Sequence, residues 1–246
     1  MSIIGDGPKL TLGFEMCKPR EGNSRDEGEM IASKKLISDV SGTFRNFIDV
    51  VVYDSLVCSS VEINKCLDLG IDTVVRAKKN KNTSTKQVKK KVNKQDPIEI
   101  WEDDKEFDYV KIYESEFEMD NVERPLRFVK FAMKYSDKKR SQIMIVTTNM
   151  DMSLKTLFKI IRARWCIENS TFNNLKNECN LGRCYVHGGN TVEAILYLLF
   201  IAYNIIQLFL IRRLRQRYQT QREMVRLLLK GLYLLKYRAD LVFDSS

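Results

Sequence analysis

A valine-rich run that ends in an aspartate is the strongest constraint on how this chain can fold. Residues 47–54 contain three consecutive valines, which is typical of a buried strand. Ser59 and Glu62 have the spacing of a capping box, so a helix is predicted to begin there, and Gly70 stands where a helix stop is expected. Another β-branched run follows at 73–75. A strand, a helix and a strand in this order predict a β-α-β unit with parallel strands and a right-handed crossover.

The rest of the pattern adds strands and helices around this unit. Apolar and polar residues alternate at 109–119, 126–135 and 142–148, which predicts three more strands. An earlier strand is predicted at 10–17, followed by a helix whose capping box is at 24–27. These segments predict an α/β domain with a mixed sheet, flanked by helices and containing a β-rich segment.

One carboxylate stands on the apolar face of a long predicted helix that begins at Asp151 or Ser153. Glu168 follows Ile161 by seven residues, and a helix turns about 100° per residue, so both side chains point the same way. A charge that faces a core is costly unless it is paired or binds a metal. Arg164, four residues earlier, can pair with it. From the residues alone, a structural ion pair is favoured over a metal ligand. The apolar face comprises Leu154, Leu157, Phe158, Ile161, Trp165, Phe172 and Leu175.

Asp54 is the second candidate site residue. It lies just beyond the carboxyl end of a predicted parallel strand, where ligands of open α/β sheets gather. Local sequence supports equally well an aspartate that forms a turn or caps the next helix. The local pattern therefore leaves its role open.

Charge is concentrated in particular segments of the chain. The net charge is +9, which suits a polyanion or a membrane surface. Residues 76–94 carry nine basic side chains and no acidic ones, and they are predicted to form a mobile loop. Within it, Lys89, Lys90 and Lys91 are candidates for phosphate contact, with a solvated tether as the alternative.

The segment around Glu168 resembles the YREK signature of insertion-sequence DDE transposases. That signature is Tyr, two residues, Arg, three residues, Glu, six residues and Lys, and Arg164 and Glu168 keep its Arg-to-Glu spacing. Ile161 stands at the Tyr position, and Lys176 comes one residue late. The run at 172–177 looks like a branch of the family in which the Lys is shifted in this way. The resemblance covers most of the chain.

The resemblance implies a fold and a chemistry. The implied fold is ribonuclease H-like, with a β-rich insertion before the catalytic helix. Asp54 and Glu168 are then catalytic metal ligands for Mg²⁺ or Mn²⁺, which suits carboxylates because two divalent ions about 3.5–4 Å apart can promote attack on a phosphodiester. Arg164 and Lys176 are expected to contact phosphate near the cleaved bond. The implied function is metal-dependent strand cleavage and strand transfer on double-stranded transposon ends, by a homodimer in the cytoplasm at the nucleoid.

The two tryptophans receive different expectations. Some hairpin-forming relatives use an insertion tryptophan to stack on a flipped base, which makes Trp101 a candidate DNA contact. A core or surface aromatic is the alternative for this residue. Trp165 is expected to pack in the core.

The first aspartate of the family's triad has no convincing counterpart. Asp6 is the candidate, but it stands within a turn composition of glycines and proline. We expect an N-terminally truncated transposase that is inactive alone. The alternative is a non-catalytic remnant that binds DNA or a full-length transposase.

Two further features bear on partners. The six cysteines form no C-x-x-C pair, so reduced thiols are expected, and a zinc site of Cys179, Cys184 and His187 is disfavoured because a fourth ligand is missing. Residues 194–211 are almost wholly apolar, which predicts a buried core helix, with a membrane span as the alternative.

The sequence divides into four predicted parts. Residues 1–80 form a partial ribonuclease H-like core, and 81–150 form the basic loop and β-rich insertion. Residues 151–211 form the half of the core that holds the catalytic helix, and 212–246 form a basic helical tail.

Overall fold

The fold is taken from a computed structural model of the chain. It describes residues 1–5, 7–16, 25–54, 59–77, 83–102, 106–137, 139–165, 167, 172–177, 181, 189–213, 223, 225–231 and 233–234.

One sheet of six strands organises the described chain. The strand order is β1-β2-β6-β5-β4-β3. The strands are β1 (Val50–Tyr53), β2 (Asp72–Arg76), β3 (Glu99–Glu102), β4 (Phe107–Phe117), β5 (Leu126–Tyr135) and β6 (Arg140–Thr147). The helices are α1 (Arg25–Thr43), α2 (Ser60–Asp68), α3 (Thr83–Val92), α4 (Leu154–Ala163), α5 (Asn173–Asn177) and α6 (Gly189–Arg213).

The predicted β-α-β unit is present. β1 and β2 run parallel with Val50 opposite Asp72, and α2 connects them. The side chain of Ser59 caps α2 by accepting a hydrogen bond from the Glu62 N–H at 3.3 Å. Gly70 ends the helix with a φ of +71°, a left-handed conformation that glycine adopts without steric cost.

The three strands predicted later in the chain also form, as β4, β5 and β6. They pair antiparallel with one another, and β6 pairs antiparallel with β2, so they continue the sheet begun by the β-α-β unit. The result is a mixed sheet flanked by helices, which is the predicted ribonuclease H-like α/β fold.

Each face of the sheet buries its own apolar cluster. α4 packs on one face, where Leu157 and Ile161 join strand residues such as Val129 and Phe131. On the opposite face, side chains from α2 and α3 meet another part of the same strands. That second cluster is formed by Ile63, Ala77, Val88, Val92, Met119, Leu126, Phe128, Met144 and Val146.

The basic segment predicted to be a mobile loop contains a helix, so that prediction was wrong. Thr85, Val88 and Val92 lie on one side of α3 and are buried against the sheet. The spacing of three and four residues is the helical repeat, and it is hidden in the sequence by the surrounding lysines. Lys86, Lys89, Lys90 and Lys91 therefore stand on a helix with one face packed against the sheet.

The strand predicted at 10–17 is not present in the described part of that segment. Residues 10–16 contain only an isolated antiparallel bridge between Ser2 and Thr11. Thr11 instead exchanges two 2.8 Å hydrogen bonds with the Asn204 side chain of α6 through its own N–H and C=O. A side-chain amide thus takes the bonds that a neighbouring strand would otherwise supply.

The long apolar helix predicted at 194–211 is present as α6, but the expected burial is not. Only 11% of its most apolar window is buried, and Leu198, Ile201 and Ile205 are each more than half exposed. α6 is long enough and apolar enough to cross a membrane. A single such helix is weak support for a membrane location.

The chain separates into two compact units. One unit is Gly13–Ala163, which contains the whole sheet with α1 to α4. The other combines Met1–Leu12 with Arg164–Ser246 and contains α5 and α6. The four-part division made from the sequence stays a prediction.

The first turn of α2 carries a buried carboxyl group, that of Glu62. Glu62 is 0% exposed, and neither of its carboxylate oxygens has a hydrogen-bond partner in the described part of the chain. The predicted capping box is therefore one-sided, because Ser59 caps the helix and Glu62 does not return the bond. Burial raises the pKa of the Glu62 carboxyl, and the nearby positive charge of Lys34 works against that rise.

We expect Glu62→Gln to stabilise the protein at neutral pH. The pKa of Glu62 is higher in the folded state than the value of about 4.3 expected in the unfolded chain. The neutral carboxyl therefore stabilises the folded state fully below about pH 4.3, and this stabilisation is lost as the pH rises through the folded-state pKa. The amide is neutral at every pH, so the variant should gain about 1–2 kcal/mol near neutral pH and nothing near pH 4. Urea unfolding at both pH values measures the difference. The exposed Glu116→Gln is the control, and an equal effect of Glu62→Gln at the two pH values would contradict the assignment.

Candidate active site

Asp54 lies at the carboxyl end of the first parallel strand. Tyr53 pairs with Val75 at the end of the β1–β2 ladder, so Asp54 and Arg76 come next along the two strands. Asp54 is half-buried. This is the edge of the sheet at which the sequence predicted a ligand site.

The sheet face on which Asp54 stands follows from the alternation of side chains along β1. Tyr53 is buried on the α2 side, where its hydroxyl lies 3.6 Å from the Cys66 sulfur, and burial raises the pKa of both groups. Val50 and Val52 point the other way and pack against the cluster under α4. Continuing this alternation by one residue directs Asp54 to the α4 side of the sheet.

Aromatic side chains hold α4 on that face. The ring of Phe158 lies 4.9 Å from the ring of Phe131 and 5.6 Å from that of Trp101, measured between centroids. At the end of the helix, Arg162 bonds both oxygens of Glu106 at 2.7–2.8 Å. Because α4 ends at Ala163, it leads directly into the segment that carries the signature.

A buried arginine fixes the turn by which the chain enters α4. Arg127 on β5 is 7% exposed and bonds both carboxylate oxygens of Glu114 on β4, at 2.6 and 3.1 Å. It also donates to the backbone carbonyls of Met150 and Met152. The side chain of Ser153 then caps α4 by accepting from the Thr156 N–H at 3.2 Å, one of the two caps predicted.

A second polar cluster reinforces the same turn. Asp72, the first residue of β2, accepts hydrogen bonds from Thr148 at 2.7 Å and from Asn149 at 2.5 Å. The Thr148 hydroxyl in turn accepts from the Thr73 N–H at 2.9 Å. These contacts join the start of β2 to the end of β6. No local pattern marked Asp72 or Arg127, because their partners are distant in sequence.

The structure describes the signature segment only in part, and Trp165, Ile167 and Phe172, between α4 and α5, are also helical. α4 ends at Ala163 and α5 begins at Asn173. Ile161, which stands at the Tyr position of the signature, is buried in the core, so its role is packing. Trp165 and Phe172 were expected on the buried apolar face but are 52% and 53% exposed.

The charged signature residues are placed in part. Arg164 is buried, and its carbonyl accepts a hydrogen bond from the Ile167 N–H at 3.0 Å. Lys176 is exposed on α5 beside the buried Leu175. Glu168 lies outside the described residues. Asp54 and the signature belong to different units, so the pairing of Asp54 with Glu168 stays a prediction.

The other site candidates are described only in part. Trp101 packs between Phe131 and Phe158, and its indole N–H donates to Glu99 at 2.6 Å, which favours the packing alternative over base stacking. Lys89 is half-buried, while Lys90 and Lys91 are exposed. Asp6, Cys179, Cys184 and His187 lie outside the described residues.

A metal centre is not assembled within the described chain. Among the residues placed by the structure, no group of three or more His, Cys, Asp or Glu side chains could hold a metal ion. The carboxylate of the partly buried Asp54 nevertheless supplies oxygen atoms, the ligand type that Mg²⁺ prefers. The donor chemistry therefore fits a hard divalent cation.

The mixed sheet, its flanking helices and the acidic residue at the end of its first parallel strand define a ribonuclease H-like domain. The family model for the transposase DDE domain matches residues 31–205. This match covers well over half of the 246 residues, so the chain belongs to the transposase DDE domain family. A comparison with curated proteins finds no match. Transposases of this family bind DNA in general and generally use divalent metals, and the domain indicates a soluble cytoplasmic protein.

We expect Arg127→Met to destabilise the sheet unit by about 3 kcal/mol, because it removes the paired charge and the donors to two backbone carbonyls. Arg127→Lys should recover little, since an ammonium group cannot bond both carboxylate oxygens in the planar fork that arginine forms. Chemical denaturation measures both variants. The exposed Arg124→Met is the matched control, and a cost no larger than that of this control would contradict the role assigned to Arg127.

Proposed function

We propose that this chain is a transposase catalytic domain for metal-dependent DNA strand cleavage and strand transfer. Asp54 and Glu168 are the proposed catalytic metal ligands. The observation that carries the proposal is the position of Asp54, at the carboxyl end of a parallel strand and on the sheet side that holds α4. α4 is the helix from which the chain continues to Glu168.

The proposed ions are Mg²⁺ or Mn²⁺, held by Asp54 and Glu168. Bound as a pair, such ions promote attack by water or a 3′-hydroxyl on a phosphodiester and stabilise the leaving oxygen. Arg164 and Lys176 complete the proposed signature, with Ile161 replacing its tyrosine. Their role is to hold the phosphate beside the reacting bond, since charge-assisted hydrogen bonds orient phosphate oxygens.

Double-stranded transposon ends are the proposed substrate, and a homodimer at the nucleoid is the proposed working unit. Lys89, Lys90 and Lys91 on α3 would contact the DNA backbone away from the reacting bond. The anchored face of α3 supports this role, because cations on a packed helix lose less conformational entropy on binding than cations on a loop.

We propose that the chain is inactive alone, because the sequence offers no convincing counterpart of the first aspartate of the family's triad. The second candidate function is a non-catalytic partner that binds DNA or another transposase through the same basic surfaces. Metal binding separates the two functions, because only the catalytic domain requires ions at Asp54 and Glu168.

Calorimetric titration with Mn²⁺ tests the metal ligands. Asp54→Asn and Glu168→Gln should each weaken Mn²⁺ binding by at least roughly tenfold, because each removes a charged donor. The exposed Asp68→Asn on α2 is the control and should leave binding unchanged. Wild-type affinity in both site variants would refute the ligand assignment. Inactivity is tested with supercoiled plasmid and Mn²⁺, and nicking that Glu168→Ala abolishes would show the chain to be active.

A salt titration of duplex binding tests the α3 lysines. Changing Lys89, Lys90 and Lys91 together to Gln should reduce the slope of log affinity against log salt by up to roughly 2.7, at about 0.9 per phosphate contact. The matched control changes Lys65, Lys155 and Lys159 to Gln, which removes the same charge from α2 and α4. A slope unchanged from wild type, or reduced equally in the control, would count against the lysines of α3.

A further inference from the structure

Three strands extend past the parallel pair. The β2–β6 ladder ends with Arg76 opposite Ile145, whereas β6 begins at Arg140 and β5 continues to Tyr135. The extension therefore lies at the end of the sheet toward which β1 and β2 run. This is also the end at which Asp54 stands.

Tyrosines and lysines alternate across one side of this extension. On β4 and β5, Tyr109 stands opposite Lys134, and Tyr113 stands opposite Lys130, while Lys111 lies between the two tyrosines. All five side chains are partly exposed. We call this group, Tyr109, Lys111, Tyr113, Lys130 and Lys134, the aromatic–lysine face.

The ammonium groups of this face lie over the tyrosine rings. Lys111 and Lys134 approach the Tyr109 ring, with 5.3 and 5.6 Å between each nitrogen and the ring centroid. Lys130 lies 4.8 Å from the centroid of Tyr113. Cation–π attraction to the tyrosine rings thus restrains the three ammonium groups before any ligand binds.

Positive charge is crowded at this surface. The pKa of Lys130 is lowered by burial and by the positive charge of Lys89. The α3 lysine Lys89 therefore lies close to the face. Lys130 also donates to the Asn93 side chain at 2.8 Å, and Arg140 stands opposite Lys134 on β6. In the described part of the chain, Lys111 and Lys130 form no ion pair with a carboxylate.

Carboxylates lie at the margin of the face. Asp108 pairs with Lys134 at 2.7 Å, and Glu102 stands opposite Tyr109 on the neighbouring strand β3. Lys111 and Lys130 therefore form the part of the surface with uncompensated charge. Like charges held together in this way favour an anionic partner that presents several charges at once.

We propose that the aromatic–lysine face binds the phosphate backbone of duplex DNA, as an extension of the DNA-processing function proposed above. The tyrosine rings are covered by ammonium groups, so they are not open platforms for the stacked bases of a single strand. Lys130 and Lys134 lie on the same side of β5 and are separated by roughly 13 Å, the rise of about four base-pair steps along the DNA helix axis. The face lies on the α3 side of the sheet and Asp54 on the α4 side, so DNA bound there would reach the end of the sheet that carries Asp54 from the opposite side.

The test is duplex binding in EDTA by a variant that carries Lys111→Gln and Lys130→Gln. The probe is a 30-base-pair duplex of arbitrary sequence, because backbone contact does not depend on sequence. Loss of two phosphate contacts should reduce the salt slope by roughly 1.8, so the affinity lost between about 50 and 200 mM salt should shrink about tenfold. The charge-retaining pair Lys111→Arg and Lys130→Arg should keep the wild-type slope.

The control pair, Lys155→Gln and Lys159→Gln, removes the same charge from exposed positions on α4. A reduced slope in the face variant alone supports the proposal. It is overturned by a wild-type slope in that variant, by an equal reduction in the control, or by a loss confined to a single-stranded probe. If the Gln pair does not fold, Lys111→Gln alone should lower the slope by roughly 0.9, and an unchanged slope overturns the proposal. Metal is absent from this experiment, so failure of the metal-site proposal would appear only in the Mn²⁺ titration.

Discussion

The buried pair of Arg127 and Glu114 is the interaction on which the arrangement of the sheet unit depends. It joins two antiparallel strands, and the same guanidinium holds the two backbone carbonyls that precede α4. An arginine buried without these acceptors would cost several kcal/mol, so the turn into α4 can adopt few other geometries. The helix that leads to the signature is therefore positioned by a side chain on the middle of the sheet.

Much of the fold was predictable because local patterns and tertiary packing agree. The valine-rich run, the cap at Ser59 and the stop at Gly70 each require one local structure, and the sheet uses all three. Prediction failed where a distant partner decides the outcome. α3 was missed because its buried valines are few among many lysines, and on one side of the segment at 10–16 the Asn204 side chain takes both backbone bonds of Thr11.

The site was predictable to a smaller extent. Asp54 follows from strand order, since carboxyl ends of parallel strands collect ligands whatever their sequence. The exposure of Trp165 could not be predicted, because apolar spacing shows which residues share a helix face but not whether another element covers that face. The aromatic–lysine face could not be predicted from the sequence for another reason. Its members alternate along two strands, so only the register between β4 and β5 shows that they form one surface.

The pairing of β6 with β2 has a consequence for how the chain reaches this fold. Val74 lies opposite Thr147, so the centre of the sheet joins residues far apart in sequence. Loop closure of that length must precede the contacts that reward it, which places the step late and makes it slow. During synthesis the parallel pair leaves the ribosome well before β6, with one side of β2 still unpaired. The nascent β-α-β unit therefore depends on the rest of the chain to protect an apolar strand from aggregation.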